Sequence, residues 1–274
     1  MTRLLFIGDI VGRPGRELVR RGLAPLVAHH QIDFVIANAE NAAAGFGVTP
    51  DIADDLFDCG VDVMTGGNHS WDKKEILPYF DEQPRLLRPI NFPAGAPGRG
   101  SYVGRTRGGV PVAVLNGMGR VFMTPIDNPF RVLEAEVENV RQQARIIFVD
   151  FHAEATSEKV AMGWHLDGRV TAVVGTHTHV QTADERVLPR GTAYITDVGM
   201  TGPHDSVIGV ERSAILARFL TALPQRFETA TENPRLSAVV VTADETTGRA
   251  HSIDRLNLSA QDLETLAAMP TSAG

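Results

Sequence analysis

The chain has few of the features that mark secreted, membrane or nucleic-acid-binding proteins. Among its 274 residues there is one cysteine, Cys59, so no intrachain disulfide can form and the reducing cytoplasm is the expected location. No apolar run approaches the roughly 20 residues of a membrane span, and Asp9 and Gly12 interrupt the N-terminal run too early for a signal peptide. The lack of such a run makes a membrane partner unexpected, and the formal net charge of -7 at pH 7 makes stable binding to DNA unexpected.

Several short motifs that would identify an enzyme class are also missing. The sequence contains no GxxxxGK followed by Ser or Thr, no GxGxxG after the first strand pattern, no HExxH and no GxSxG. This removes the simplest arguments for a nucleotide-binding fold, a zincin or a serine hydrolase. The remaining composition is ordinary for a globular protein, with 43% hydrophobic and 22% charged residues. Because no internal repeat or linker is visible, we expect a single domain over residues 1–274.

Strand and helix patterns alternate along the first 70 residues. Apolar runs in RLLFIGDI, DFVIANAEN and VDVMTGGNHS predict strands, while GRELVRRGLAPLVAHH and TPDIADDLFDCG predict helices, the second with Thr49 before Pro50. Such continuous apolar strands indicate a parallel sheet buried on both faces. Further along, the patterns predict a hairpin at Gly108 and Gly109, three more strands, two helices and a terminal hairpin turning at ETTG.

Five of these strand patterns end in residues that can bind a metal. They are Asp9 after the first strand, Glu40 with Asn41 after the second, Asn68 with His69 after the third, His152 in FVDFH, and His177 with His179 in GTHTH. Ligands of an open α/β sheet lie in the crevice beyond the carboxyl ends of its strands. Alternation along a strand would also send His177 and His179 to the same side. We therefore expect these side chains to meet at one edge of the sheet.

Taken singly, each of these residues has a plainer explanation. An Asp or Asn at a strand end is usually turn chemistry or a helix cap, and a lone histidine such as His152 is more often structural. Together, however, they form a group of carboxylates, amides and imidazoles that is costly to bury without a cation. The mixture lacks a thiolate and suits Mn, Fe, Co or Zn. With His69 set aside as a candidate acid, the seven remaining candidate ligands exceed the four of one tetrahedral zinc, which favours two metals.

The order of these motifs resembles the calcineurin-like metallophosphoesterase superfamily. That pattern is DxH, GD, GNH followed by Asp or Glu, a lone His, and GHxH. Here GDIVG, NAEN, GGNHSWD, DFHAEAT and GTHTHVQT fill those places in the same order, over about residues 8 to 182. Two positions differ, since Val11 stands where DxH has its histidine, and Glu40 followed by Asn41 stands where a bridging Asp is expected. This variant is similar to the YmdB-type branch of bacterial cyclic-nucleotide phosphodiesterases.

The resemblance implies a fold, a cofactor and a substrate. The fold would be an α/β/β/α sandwich of two mixed sheets flanked by helices. The cofactor would be two divalent metal ions, iron or manganese in preference to zinc, cobalt or magnesium, and the substrate a 2',3'- or 3',5'-cyclic nucleotide. Carried over position by position, the ligands of the first metal would be Asp9, Glu40, Asn41 and His179. Those of the second would be Glu40, Asn68, His152 and His177.

These residues suggest a mechanism. Two metals could hold a bridging hydroxide that attacks phosphorus in line with the leaving ribose oxygen, and His69 would protonate that oxygen. Asp72 would either orient His69 or cap the helix expected at KKEI. His165 and His204 stand in sequences that look like loops and could line the cleft. Phe46 could stack on a base or anchor its own loop.

Three functions remain open on the sequence alone. The first is a binuclear metal-dependent phosphodiesterase that hydrolyses cyclic nucleotides. The second is a phosphatase acting on monoesters or phosphoproteins. The third is a regulatory protein whose metal cluster is structural or senses a nucleotide, although such a scaffold has no need of an acid such as His69. Edge strands could support a homo-oligomer, but the sequence selects no assembly and identifies no substrate-binding residue.

Overall fold

The structure, a computed structural model, describes residues 1–269, which form twelve strands and seven helices. The strands are β1 (Thr2–Ile7), β2 (Phe34–Asn38), β3 (Val63–Thr65), β4 (Ser101–Arg105), β5 (Pro111–Met118), β6 (Ile146–His152), β7 (Ala172–Thr176), β8 (Arg186–Val187), β9 (Ala193–Ile195), β10 (Gly202–Pro203), β11 (Pro234–Ala243) and β12 (Ala250–Ser259). The helices are α1 (Gly12–His30), α2 (Pro50–Asp58), α3 (Ile76–Glu82), α4 (Pro129–Val140), α5 (Thr156–Leu166), α6 (Arg212–Thr221) and α7 (Ala260–Ala268).

The first sheet contains the three N-terminal strands. β1, β2 and β3 are parallel, as their continuous apolar runs predict. β11 pairs antiparallel with the other side of β1, and β10 and β12 both pair with β11. The sheet is therefore six-stranded and mixed. The predicted terminal hairpin is the β11–β12 pair.

The second sheet has the strand order β4-β5-β6-β7-β9-β8. Its central strands β5, β6, β7 and β9 are parallel, whereas β4 and β8 pair antiparallel at the two edges. The hairpin predicted at Gly108 and Gly109 joins β4 to β5. Both sheets are thus mixed, and each sends several parallel strands toward the same end of the molecule.

The two sheets face each other across an apolar core. Along β1, Leu4 and Phe6 point toward the second sheet, while Leu5 and Ile7 pack beneath α1, α2 and α7, because successive side chains of a strand point to opposite faces. Phe6 stacks on Phe148 of β6, with ring centroids 5.4 Å apart. Helices α4 and α5 cover the outer face of the second sheet. This is the α/β/β/α sandwich that the resemblance implied.

The structure differs from the local sequence interpretation at several places. β7 ends at Thr176, so His177 and His179 lie beyond the strand and the alternation argument does not apply to them. The N-cap position of α3 is Glu75, so Asp72 does not cap that helix. His165 lies in the last turn of α5 instead of a loop. α7 has no counterpart among the predicted elements, although Ser259 starts it with a capping box.

The extent of the domain stays a prediction. The apolar core between the sheets contains side chains from β1 near the N-terminus and from β12 near the C-terminus, which is compatible with one folding unit. The final residues of the predicted range 1–274 lie outside the described residues. Within residues 1–269, none of the helices has both the length and the hydropathy that a membrane span needs.

Candidate metal centre

The strand ends that carry the candidate ligands come from both sheets. β1, β2 and β3 of the first sheet lead to Asp9, Glu40 and Asn68. β6 and β7 of the second sheet lead to His152 and His177. The expectation of a single edge in a single sheet is therefore wrong. The side chains meet because the two sheets face each other and the carboxyl ends of these strands lie at the same end of the sandwich.

Three donor atoms converge on Nε2 of the buried ring of His152. Oδ1 of Asn68 lies 2.9 Å from Nε2 of His152, Nδ1 of His177 lies 3.0 Å from it, and Oε1 of Glu40 lies 3.1 Å from it. A single ring nitrogen has one proton or one lone pair and cannot bond to all three partners. Separations near 3 Å are what neighbouring ligands of one ion show when each bond is about 2.1 Å long. Glu40, His152 and His177 form a group that could hold a metal ion.

A second, looser group of donors surrounds Asp9. Asp9 is fully buried, and its Oδ1 atom has no hydrogen-bond partner among the described residues. Nε2 of His179 lies 4.0 Å from that oxygen. The amide nitrogen of Asn41 lies 3.2 Å from the same Nε2 and 3.3 Å from Oε1 of Glu40, and turning the amide over would put its oxygen there. A buried, unpaired carboxylate oxygen facing an imidazole also fits a cation.

Glu40 lies between the two groups. Its Oε1 contacts His152 and Asn41, and its Oε2 accepts the backbone N–H of His69 at 2.9 Å. Burial alone would raise the pKa of Glu40, but the charge on His152 outweighs it and lowers this pKa to about 2. Burial would likewise lower the pKa of His152, but Glu40 raises it to about 9. The carboxylate therefore requires a positive charge beside it, either a protonated imidazole or a metal ion.

Thr176 and Asp150 fix the ring of His152. Nδ1 of His152 lies 2.9 Å from Oγ1 of Thr176, and this hydroxyl donates to Oδ1 of Asp150 at 2.7 Å. These two hydrogen bonds orient the ring so that Nε2 faces the other donor atoms, as the hydrogen-bond partners of metal-binding histidines usually do. Asp150 also accepts from the amide of Asn38 in the other sheet at 3.1 Å. The sequence signal for Asp150 is a charged residue inside the buried run IIFVDFH.

The two histidines of THTH reach the site through a strained loop. His177 has φ 102° and His179 has φ 66°, a left-handed region that residues other than glycine seldom adopt. Asp197 accepts from Thr178, which lies between them, and forms a buried ion pair with Lys159 at 2.6 Å. Sequence reasoning missed Asp197 and Lys159, although Asp197 follows an apolar strand, β9, in the same way as the predicted ligands.

Each of these histidines has one nitrogen occupied by a neighbour. Nε2 of His177 lies 3.1 Å from Oε2 of Glu154, which leaves Nδ1 facing His152. Burial, and after it the charge on His152, lower the pKa of His177 to about 3. Nδ1 of His179 lies 2.8 Å from the carbonyl oxygen of Ile208, which leaves Nε2 facing Asp9. His177 is therefore neutral, the form in which an imidazole binds a metal.

His69 lies beside the metal group and opens to solvent. Its Nδ1 lies 2.7 Å from Oδ2 of Asp72, and its side chain is 29% exposed. Asp72 therefore takes the orienting role that was one of its two predicted alternatives. His165 packs on Phe130 at a centroid distance of 5.5 Å, and Nδ1 of His204 bonds the carbonyl of Gly202. Neither histidine lines the cleft at the metal group, which was one possibility that the sequence left open for them.

A cleft of about 410 Å³ opens at this group. Glu40, Asn41, His69, His177 and His179 line its polar end. Phe46 also lines it, with its ring centroid 5.0 Å from that of His69. The volume lies in the range of small-molecule sites. The arrangement combines a charged, metal-suited floor with an exposed histidine that can exchange a proton with a bound molecule.

Comparison with known proteins gives relatives along almost the whole chain. The model of the family described as YmdB-like protein matches residues 5–256. A 2',3'-cyclic-nucleotide 2'-phosphodiesterase from Bacillus subtilis is 51% identical over 255 residues, which are 93% of this chain and 96% of the relative.

Two solved structures share the architecture. A hypothetical protein from Thermus thermophilus is 43% identical and superimposes with a TM-score of 0.88, covering 94% of this chain and 99% of that one. A protein described as a novel phosphatase from Mycoplasma pneumoniae is 34% identical, also with a TM-score of 0.88, covering 96% of both chains. The sandwich therefore recurs in proteins similar to this one.

Proposed function

Because the chain belongs to the YmdB-like protein family, we propose that it is a metal-dependent phosphodiesterase that hydrolyses cyclic nucleotides. One observation carries the proposal. Asn68, Glu40 and His177 converge on Nε2 of His152, beside the unpaired Oδ1 of Asp9. The name of the relative from Bacillus subtilis supports a 2',3'-cyclic nucleotide as substrate. Activity on 3',5'-cyclic nucleotides is part of the same proposal and rests on the resemblance alone.

The proposed cofactor is a pair of divalent ions, iron or manganese in preference to zinc, cobalt or magnesium. The proposed ligands of the first ion are Asp9, Glu40, Asn41 and His179. Those of the second are Glu40, Asn68, His152 and His177. Glu40 would belong to both because its Oε1 contacts a donor of each group. Bound in pairs, such ions supply positive charge against phosphate oxygens and an activated water close to phosphorus.

The chain's own residues would orient the ester and move a proton. In a 2',3'-cyclic phosphate, the oxygen of water forms a bond to phosphorus and the bond from phosphorus to the ribose O2' atom breaks. His69 would give its proton to O2', and one proton of the attacking water would pass to solvent. The products would be a 3'-phosphate monoester and a free 2'-hydroxyl. Asp72 holds Nδ1 of His69 at 2.7 Å, so Nε2 is the nitrogen that can face the leaving oxygen.

Turnover of cyclic nucleotides by the purified chain tests this function. The chain is loaded with manganese or iron, and its metal content is measured before assay. We expect 2',3'-cyclic AMP to give adenosine 3'-monophosphate, identified by phosphorus NMR. A fully loaded chain that hydrolyses neither 2',3'- nor 3',5'-cyclic AMP would refute the proposal.

A phosphatase is the second candidate, supported by the similarity to the novel phosphatase from Mycoplasma pneumoniae. Adding p-nitrophenyl phosphate and a phosphopeptide to the panel ranks the two activities by kcat/KM. The regulatory alternative is separated by His69→Gln. If this variant keeps its metal, loses turnover and leaves the cellular phenotype of a deletion strain fully complemented, the metal cluster serves regulation. The cytoplasm stays the proposed location, on the grounds of the single cysteine.

A further inference from the structure

The cleft at the metal group continues along an apolar surface, which we name the apolar wall. It consists of Ile208, Ile215, Phe219 and Phe227. Phe219 is 79% exposed and Ile208 is 52% exposed, while Ile215 is buried behind them. Exposed aromatic and aliphatic side chains gathered in a concave surface beside a reaction centre are typical of a binding surface. The wall therefore has room for a flat or apolar part of a bound molecule.

The charges of the cleft restrict that molecule. Among the described residues that line it there is no lysine or arginine, but there are the carboxylates of Glu154 and Glu228. Beyond the metal group, a second phosphate would lie beside these carboxylates. The two guanidinium groups recorded at the wall are already engaged, Arg226 by Glu228 and Arg218 by the ring of Phe227. A polynucleotide backbone or a polyphosphate therefore fits the wall poorly. A neutral body attached to a single phosphate fits it well.

Phe46 lies between His69 and the segment that carries the wall. Its ring is in edge contact with the ring of His69, at a centroid distance of 5.0 Å. Its neighbour Gly45 is packed so closely that an added Cβ would lie 3.0 Å from Oγ1 of Thr229, two residues after Phe227. A ribose whose leaving oxygen meets His69 would thus have its base directed past Phe46 toward the wall. Such a base could contact aromatic rings, which bind any base through its flat face.

Ile208 joins the wall rigidly to the metal group. It adopts φ 47°, which is an outlier for a β-branched residue. Backbone hydrogen bonds between Val207 and Val210, at 2.9 and 3.0 Å, hold it in this turn. Its carbonyl oxygen is 2.8 Å from Nδ1 of His179. The same turn therefore orients a candidate ligand and presents an apolar side chain to the cleft, which is how local strain is commonly used at functional sites.

We propose that the apolar wall is the subsite for the nucleobase, so that the substrate is a free cyclic mononucleotide with a neutral base lying on Phe219 and Ile208. This rests on the proposed function and adds the substrate class to it. An RNA chain ending in a cyclic phosphate is a poor substrate, because its backbone would pass two carboxylates, while Arg226 and Arg218 are already engaged by Glu228 and Phe227. Purines are preferred to pyrimidines, since they cover more of the wall.

Phe219→Ala is the test, with Leu220→Ala as its matched control. The two residues are neighbours on α6 and are 79% and 84% exposed, but only Phe219 lines the cleft. The measured quantity is the ratio of kcat/KM for 2',3'-cyclic AMP to kcat/KM for glycerol 1,2-cyclic phosphate, which has the same ring ester and no base. We expect Phe219→Ala to lower this ratio roughly tenfold, the order of one lost base–aromatic contact. Leu220→Ala should leave the ratio at its wild-type value. Phe219→Leu should lower the ratio less than Phe219→Ala does.

A binding measurement separates this inference from the catalytic one. Saturation-transfer NMR with adenosine 3'-monophosphate and the metal-free chain should show transfer to the base protons, weakened in Phe219→Ala and retained in Leu220→Ala. If the wild-type chain turns over neither ester, the proposed function fails, and this measurement still tests the wall.

Two results would overturn the subsite. One is an equal ratio in Phe219→Ala and wild type, with no change in transfer to the base protons. The other is a change of oligomeric state in Phe219→Ala, measured as the mass of the assembly in solution, with an unchanged ratio of kcat/KM values. This result would identify α6 as a contact between subunits. Efficient cleavage of an RNA oligomer with a cyclic end, at the rate of the mononucleotide, would overturn the preference for a free nucleotide.

Discussion

Thr178 donates both its backbone N–H and its hydroxyl to Oδ2 of Asp197, at 3.1 and 2.7 Å. Thr178 is the residue between His177 and His179, so this pair of bonds holds the strained loop that carries both. Lys159 contacts the same oxygen at 2.6 Å, and both members of that ion pair are 1% exposed. The backbone conformation of the loop thus depends on a buried charge pair whose two members do not line the cleft.

Asp197→Asn should weaken metal binding and destabilise the fold. It leaves the ammonium group of Lys159 buried without its counter-charge, which costs about 3 kcal/mol of unfolding free energy, or roughly 6 to 12 °C in Tm. Metal affinity should fall about 10- to 100-fold, as it does when groups behind a ligand are removed. Calorimetry and metal titration measure the two effects. The control is Glu134→Gln, which breaks an exposed pair with Arg169 and should change neither. Wild-type metal affinity in Asp197→Asn would contradict the role of this pair.

Gly67→Ala should abolish the second metal position. A Cβ added at Gly67 would lie 2.3 Å from Cδ2 of His152 and 2.4 Å from Oε2 of Glu40, so both side chains would have to move. We expect at most one metal per chain after dialysis, measured by mass spectrometry, with a folded circular dichroism spectrum. Gly95→Ala is the control, because a Cβ there meets nothing within 4 Å. Two bound metals in Gly67→Ala would mean that these side chains do not hold the second ion.

His69→Gln should lower kcat about 10²- to 10⁴-fold with full metal content, since it removes a general acid. Asp72→Asn should lower kcat on the order of tenfold, because it removes only the partner of Nδ1. Both losses should shrink on a p-nitrophenyl phosphodiester, whose phenolate leaves without a proton. Parallel assays of the two substrates in each variant check this. Equal losses on both substrates would assign His69 to binding instead of proton transfer.

The number of bound metals should follow the proposed ligand groups. Wild-type protein should hold two ions per chain, His179→Gln and His152→Gln one each, and Glu40→Gln fewer than either, because its carboxylate belongs to both groups. Removal of metal by a chelator should also lower Tm, since an ion bound only to the folded state stabilises it. Elemental analysis and thermal melts test this. One ion per wild-type chain would exclude the binuclear arrangement.

Much of the site could be found from sequence because its signal is local. Asp9, Glu40, Asn68 and His152 each follow or end an apolar strand, and residues at carboxyl strand ends gather in α/β folds. Asp72 could not be assigned in this way, since a helix cap and a partner for His69 require the same residue type. The structure shows that Asp72 is the partner of His69 and not a helix cap, because α3 starts only at Ile76.

The sequence by itself determined the alternation of strands and helices, the metal-suited residue set and the family resemblance, because periodicity and residue chemistry are carried by neighbouring positions. Only the tertiary structure decided that the strand ends belong to two facing sheets. Only the tertiary structure also showed the positive φ angles of His177 and His179, the buried ion pair of Lys159 and Asp197, and the apolar wall beside the metal group. These features join residues far apart in the chain, and long-range packing has no signature in the spacing of neighbouring residues.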